Sequence, residues 1–295
     1  MKTVKILLLM LAAVFCLPAF SQLAMELNSN QTHYMQYESI YMHLRIRNDS
    51  GRPMVFGKNE KLTAKLYFEI ADVRGRIIEE YEPKAILLAR GKVINPGQTG
   101  DIILKFSKIY NLAKTGIYRI HAYISHPMLK DQFRSNDVRI EISDGVKIWS
   151  RTIGVPDGVI RNDGRVLSRD SSRTYSIKKL NTNDIQYYYC TLEDKDKMYQ
   201  TFRMGPVLGI EKPECIIDMS GALHTLVYIL PKIYKYYKVD ISGALVDDGK
   251  YYKTTKTTPH LMKNSNGQIF VGGGAPAVPN VDFAVREKSF SALDE

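Results

Sequence analysis

Asp218-Met-Ser-Gly221-Ala-Leu223 returns 22 residues later as Asp240-Ile-Ser-Gly243-Ala-Leu245, and Asn264-Ser-Asn-Gly267-Gln-Ile269 follows as a looser third copy. Asp and Asn bond their own turn backbone, and Gly supplies the left-handed conformation that closes a tight turn. Each copy leads into an apolar run, and the stretch 222–229, Pro231, then 234–239 makes one complete unit of two strands. Asp247-Asp248-Gly249 adds a hairpin turn signal. Short apolar and Tyr-rich runs separated by such turns predict a β-meander over 146–275.

Upstream, the same grammar holds with a different rhythm. Ile40, Met42, Leu44 and Ile46 alternate as one buried face of a strand. Asp72-Val-Arg-Gly75 joins two strands as a hairpin, and Asn95-Pro-Gly97 is a turn leading into the apolar run 102–106. Nothing in 22–145 requires a helix. The whole mature chain reads as all-β, with a domain over 22–145, a second over 146–275, and a weakly ordered tail over 276–295.

The run Gly116-Ile-Tyr118-Arg-Ile120-His-Ala122 resembles the corner and following strand of immunoglobulin-like domains. The resemblance implies a β-sandwich in which Tyr118 bonds its hydroxyl back to the corner backbone. It implies nothing about function, because that sandwich hosts many activities. The second part resembles the repeat units of β-propellers. A 22-residue unit is about half of a blade, which takes ~40–45 residues. The turn lacks the Ser-x-Asp-x-Gly-x-Thr-Trp box of sialidase-like propellers. The region holds about three blades where a closed ring takes at least four, so an open meander, an incomplete propeller closed by oligomerisation, or a sheet packed on the first domain all fit.

Residues 1–21 read as a secretory signal: Lys2 and Lys5, an apolar run broken by Pro18, and small residues at Ala19 and Ser21. The expected location is periplasmic or secreted, with no transmembrane segment in the mature chain. The formal charge of +10, of which Lys2 and Lys5 of the signal supply 2, favours anionic partners or reads as a generally basic, well-solvated surface. Lys and Arg are spread rather than blocked, so nucleic acid is not expected, and acidic polysaccharide or an envelope protein is the expected partner. Cys190 and Cys215 remain after the signal; they pair in an oxidising compartment or stay as buried thiols.

No nucleophile elbow, zinc-protease helix or phosphate-binding loop occurs, and no cofactor is expected. His224 reads as a half-buried packing residue, and Asp218 and Asp240 as turn formers with too few oxygen ligands for calcium. The candidate binding feature is the Tyr and Lys interleaving. Strand alternation puts Tyr234, Tyr236 and Lys238 on one face, with Tyr252 on the next strand. Aromatic faces beside cations suit sugars and acidic groups; cross-strand Tyr packing explains the same residues. The leading expectation is a non-enzymatic exported binding or structural protein. The alternative is a glycan-processing enzyme with a propeller-like pocket gathering Asp218, Asp240 and Asp248 near a Tyr. A protease inhibitor presenting the loop 84–91 is a third reading.

Overall fold

The computed structural model describes residues 22–57, 63–79, 89, 91–129, 132–155 and 172–284, without the side chains of 248–250. The signal segment, most of the loop 84–91, the polar turn at 162–164 and the last part of the tail lie outside the described residues. The described chain is almost entirely β, and its one helical turn is a 3-10 turn over Phe106–Lys108. No helix among the described residues is long and apolar enough to cross a membrane.

The first half contains β1 (Leu23–Ser29), β2 (His33–Met35), β3 (Tyr41–Asn48), β4 (Met54–Val55), β5 (Lys65–Asp72), β6 (Val93–Ile94), β7 (Thr99–Lys105), β8 (Gly116–Ser125), β9 (Phe133–Arg134) and β10 (Val138–Ser143). Strands β1-β3-β7 form one sheet and β2-β10-β8-β5 the other, with β9 beside β8 and β4 paired to β6. The pairs are antiparallel except β10 with β2. Period-two alternation places Ile40, Met42, Leu44 and Ile46 inside, all four fully or nearly fully buried. They share one apolar core with Leu66, Phe68 and Ile70 of β5 and Ile120 and Ile124 of β8. Each such side chain contributes about 1.5–3 kcal/mol by leaving water. Tyr118 lies in this core, and its hydroxyl donates to Lys114 O at 2.7 Å.

The second half contains β11 (Val146–Gly154), β12 (Ser172–Thr182), β13 (Ile185–Glu193), β14 (Met198–Pro206), β15 (Glu214–Ile217), β16 (Leu223–Leu230), β17 (Ile233–Val239), β18 (Leu245–Lys253), β19 (His260–Lys263), β20 (Ile269–Gly272) and β21 (Ala275–Pro276). Strands β11 to β14 form one antiparallel meander, and β15 to β18 a second with β21 added at its edge. Tyr175, Ile177, Cys190 and Leu192 of the first meander share a core with Leu223, Val227, Tyr237 and Val239 of the second, and Trp149 packs against it. Hairpin β19–β20 leaves the sheet and packs Leu261, Ile269 and Val271 on the opposite face of β16 and β17.

The repeated phrase folds into one repeated turn. The Asp218 and Asp240 carboxylates each accept from the backbone N–H two and four residues on, at 2.8–3.0 Å, and from the intervening Ser hydroxyl at 2.6 Å. Gly221, Gly243 and Gly267 all hold positive φ, at 82, 91 and 79°, where a side chain would be strained. Asn264 reproduces the backbone bonds to Gln268 and Gly267. The first half uses the same turn: Asp72 accepts from Arg74 N and Arg76 N, and Gly75 has φ 76°. The phrase is therefore a hairpin device common to both halves, rather than a mark of the second alone.

The start of the expected loose tail is tied down instead. Pro276 pairs with Tyr252, Phe283 stacks on Tyr251 at 4.3 Å, and Lys253 Nζ donates to Asp282 at 2.7 and 2.9 Å.

Candidate functional site

The Tyr and Lys strand β17 is central, and both of its faces are covered. Ile233, Tyr237 and Val239 point into the core between the meanders. Tyr234 and Tyr236, 8% and 5% exposed, lie beneath hairpin β19–β20 with Tyr252 packed alongside. The Tyr234 hydroxyl donates to Glu211 Oε2 at 3.0 Å, and its ring packs against Tyr228 at 5.1 Å. Lys238 lies 3.7 Å from Asp218. The four residues share a region of the fold, but the rings that were expected to stack on sugars are occupied by protein.

Beneath that hairpin the structure assembles a group that the sequence did not announce. His224 Nε2 donates to Asp218 Oδ2 at 2.9 Å, and the Tyr236 hydroxyl donates to His224 Nδ1 at 2.6 Å. Cross-strand register brings them together, since His224 pairs with Lys238 and Leu226 with Tyr236. Burial lowers the His224 pKa below its usual value despite the Asp218 hydrogen bond. Burial also pushes the Tyr236 hydroxyl up to about 12. At Asp218 burial opposes ionisation, but the bonds from Ser220, His224 and Ala222 outweigh it and hold the carboxyl below its ordinary range. The result is a neutral imidazole closed at both nitrogens inside a fold whose Asp218 is already a turn former.

Asp240 serves its own separate turn and is not gathered with Asp218 around an open space. Among the described residues no group of three or more His, Cys, Asp or Glu side chains could hold a metal ion. Cys190 and Cys215 are free thiols, on β13 and β15 of facing sheets. Burial raises both, Cys215 to about 12, so neither is an activated nucleophile. Buried Arg173 lies with its guanidinium 3.9 Å over the Tyr199 ring, and this π face meets its charge.

The two halves meet through polar groups. Glu38 accepts from Met35 N at 2.9 Å and from Gln31 Nε2 and Arg203 Nη2 at 3.2 Å. Arg203 also donates to the Tyr189 hydroxyl and to Gln31, with its guanidinium 4.5 Å over the Tyr187 ring. Burial alone would lower the Arg203 pKa; Tyr189 and Glu38 outweigh it and keep the cation charged. Lys178 donates to Asp144 at 2.5 Å beside this network. Gly145 sits where the halves touch: a Cβ there would fall 2.7 Å from Met35 Cε and 2.8 Å from Lys179 O, and its φ is 68°. Only glycine fits that approach.

Beside the junction runs an open cleft of about 840 Å³ lined from both halves, including His33, Glu141, Lys179, Asn181 and Asp184. At its wall His33 lies 3.0 Å from Thr32 Oγ1 through Nδ1 and 3.2 Å from Glu141 through Nε2. A hydroxyl, an imidazole and a carboxylate in series have the composition of a nucleophile with its base. Here the Thr32 hydroxyl also lies 2.7 Å from Asn183 Oδ1, closer than to His33. The hydroxyl proton is thus directed to the other half of the molecule, and the series works as a clamp. Asn183 and Asp184 reach this position because both adopt positive φ, 48 and 65°, in the two-residue turn between β12 and β13.

No protein-family model matches this chain, and no curated protein matches it.

Proposed function

We propose that the protein is an exported, non-enzymatic binding protein that acts at the cell envelope or outside the cell, on an acidic polysaccharide. The carrying observation is how its acid–base groups are used. Asp218, His224 and Tyr236 bond one another under a hairpin, and Thr32 is drawn to Asn183, whereas the open cleft presents amides, a lysine and carboxylates from both halves. Such groups bind hydroxyls and charges without activating a nucleophile. The formal charge of +10, of which Lys2 and Lys5 of the signal supply 2, leaves a basic mature chain and supports an anionic partner. The reading of residues 1–21 as a signal supports export. The Tyr118 to Lys114 bond supports the immunoglobulin-like reading of the first half, a scaffold suited to presenting surfaces.

The Thr32, His33 and Glu141 series favours a second reading, a glycan-processing enzyme. Incubation with polygalacturonate, followed by sizing of the polymer, separates the two. The proposed function requires that the mature protein associates with the polymer and leaves its length distribution unchanged. Shortened polymer that persists in wild type and disappears in Thr32→Ala would establish the enzyme.

A further inference from the structure

The outer face of the five-stranded sheet carries two arginines directly opposite one another. Arg119 of β8 pairs in register with Arg139 of β10, and both are exposed. Residues so placed have Cβ atoms about 4.5–5.5 Å apart, and like charges there work against the fold. Neither guanidinium has an ion-pair partner among the described residues. The carboxylates on this face lie beside histidines: Glu141 is 3.2 Å from His33, Asp137 is 3.9 Å from His121, and Glu69 stands opposite His121 in the ladder.

Along the same face of β8, alternation brings up His121 and then Tyr123, roughly 13 Å from Arg119 at about 3.3 Å per residue. Tyr123 stacks on Tyr67 of edge strand β5, with centroids 5.2 Å apart and ring planes 12° from parallel. Arg134 lies 5.8 Å over the Tyr123 ring, and its Nη2 is 2.7 Å from His121 Nε2. Tyr67 and Tyr123 are half-exposed and Arg134 is exposed. A paired cation site thus stands at one end of the stripe and an aromatic stack with a third cation at the other. Unlike β17, this face is open to solvent at these side chains.

We propose that this face binds a polyuronate chain, with Arg119 and Arg139 clamping a carboxylate and the Tyr67–Tyr123 stack receiving sugar rings. The proposal rests on the reading of the protein as an acidic-polysaccharide binder and assigns that activity to a surface. Guanidinium groups match carboxylates in a planar two-bond geometry that lysine lacks. A carboxylate between the two arginines relieves the repulsion that the free fold carries. Ring faces beside cations suit a polymer that is both flat-faced and anionic. The stripe ends beside Glu141 and His33 at the junction cleft, so a chain lying on it continues toward the second half.

The test is affinity electrophoresis of the mature protein in gels containing polygalacturonate, neutral dextran or duplex DNA, together with thermal melts. Wild type should be retarded by polygalacturonate and not by dextran. Arg119→Gln with Arg139→Gln should weaken that retardation by about tenfold or more, with an unchanged or higher melting temperature. Arg139→Glu, which replaces one cation of the pair by a carboxylate, should abolish retardation. Tyr67→Ala should weaken retardation by polygalacturonate while leaving the fold intact. Absence of wild-type retardation overturns both this assignment and the reading beneath it. Wild-type retardation that survives in the arginine variants overturns this face alone. Equal retardation by DNA, with no effect of Tyr67→Ala, marks a general polyanion surface and overturns the polyuronate assignment.

Discussion

At the residue scale the chemistry centres on Asp218. Its carboxylate builds a turn through one oxygen and holds His224 through the other. Asp240 builds the same turn without a histidine bond. Asp240→Ala should therefore cost about 1–2 kcal/mol, and Asp218→Ala about 1–3 kcal/mol more, because it also leaves a buried imidazole N–H unpartnered. Urea unfolding of the two variants checks the order, and equal losses would refute the role given to His224. The pH dependence follows from the same group. Folding lowers the His224 pKa, so its contribution to stability is full above the unfolded value of 6.5 and declines as pH falls below it. Asp218, also lowered, contributes fully above 3.8 and loses that contribution in stronger acid. Urea midpoints should drop between pH 7.5 and 5, and His224→Gln should flatten that drop. The turn role of Asp218 was legible, because Asp and Gly at fixed offsets have a local cause. Its bond to His224 was not, since it depends on which strand neighbours which and in what register.

At the element scale, period two was a reliable guide where a strand has one wet face. Ile40, Met42, Leu44 and Ile46 announced their inner side in this way, and the structure buries them accordingly. Strand β17 left two readings open, and the structure shows the cross-strand Tyr packing. Alternating Tyr and Lys reads as a half-exposed strand, but Tyr is buried readily once its hydroxyl finds a partner, as Tyr234 does at Glu211. What covers it, hairpin β19–β20, returns from more than twenty residues downstream, and no local pattern reports that return. Leu261 is the buried anchor of this cover. Leu261→Ala should cost about 2–5 kcal/mol if the hairpin is part of the cooperative fold. It should also speed amide exchange in β19 and β20. An unchanged melting temperature would make the hairpin an independent flap.

At the scale of the whole molecule, two β halves meet at a half-buried ion pair and its hydrogen-bonded neighbours. Glu38 and Arg203 come from segments far apart in sequence, and neither stood out from the composition as more than one charge among many. The all-β class was legible from turns and alternation. The junction, the cleft and the opposed arginines were not, because each is a product of topology. Arg203→Met should cost about 1.5–3 kcal/mol by removing the charged donor from buried Glu38, and calorimetry should show a lowered or divided transition. Unaltered unfolding would remove the pair from the account of how the halves are held.

The outer sheet face is where the molecule sets exposed arginines beside a half-exposed tyrosine stack, so the binding account is tested most directly by locating the ligand. Backbone amide NMR of the mature protein, titrated with short oligogalacturonates, is that measurement. The account predicts saturable shifts concentrated on β5, β8 and β10 around Tyr67, Arg119, Tyr123 and Arg139, weakening as salt is added. Shifts centred on β16–β18, or none at saturating ligand, would contradict it.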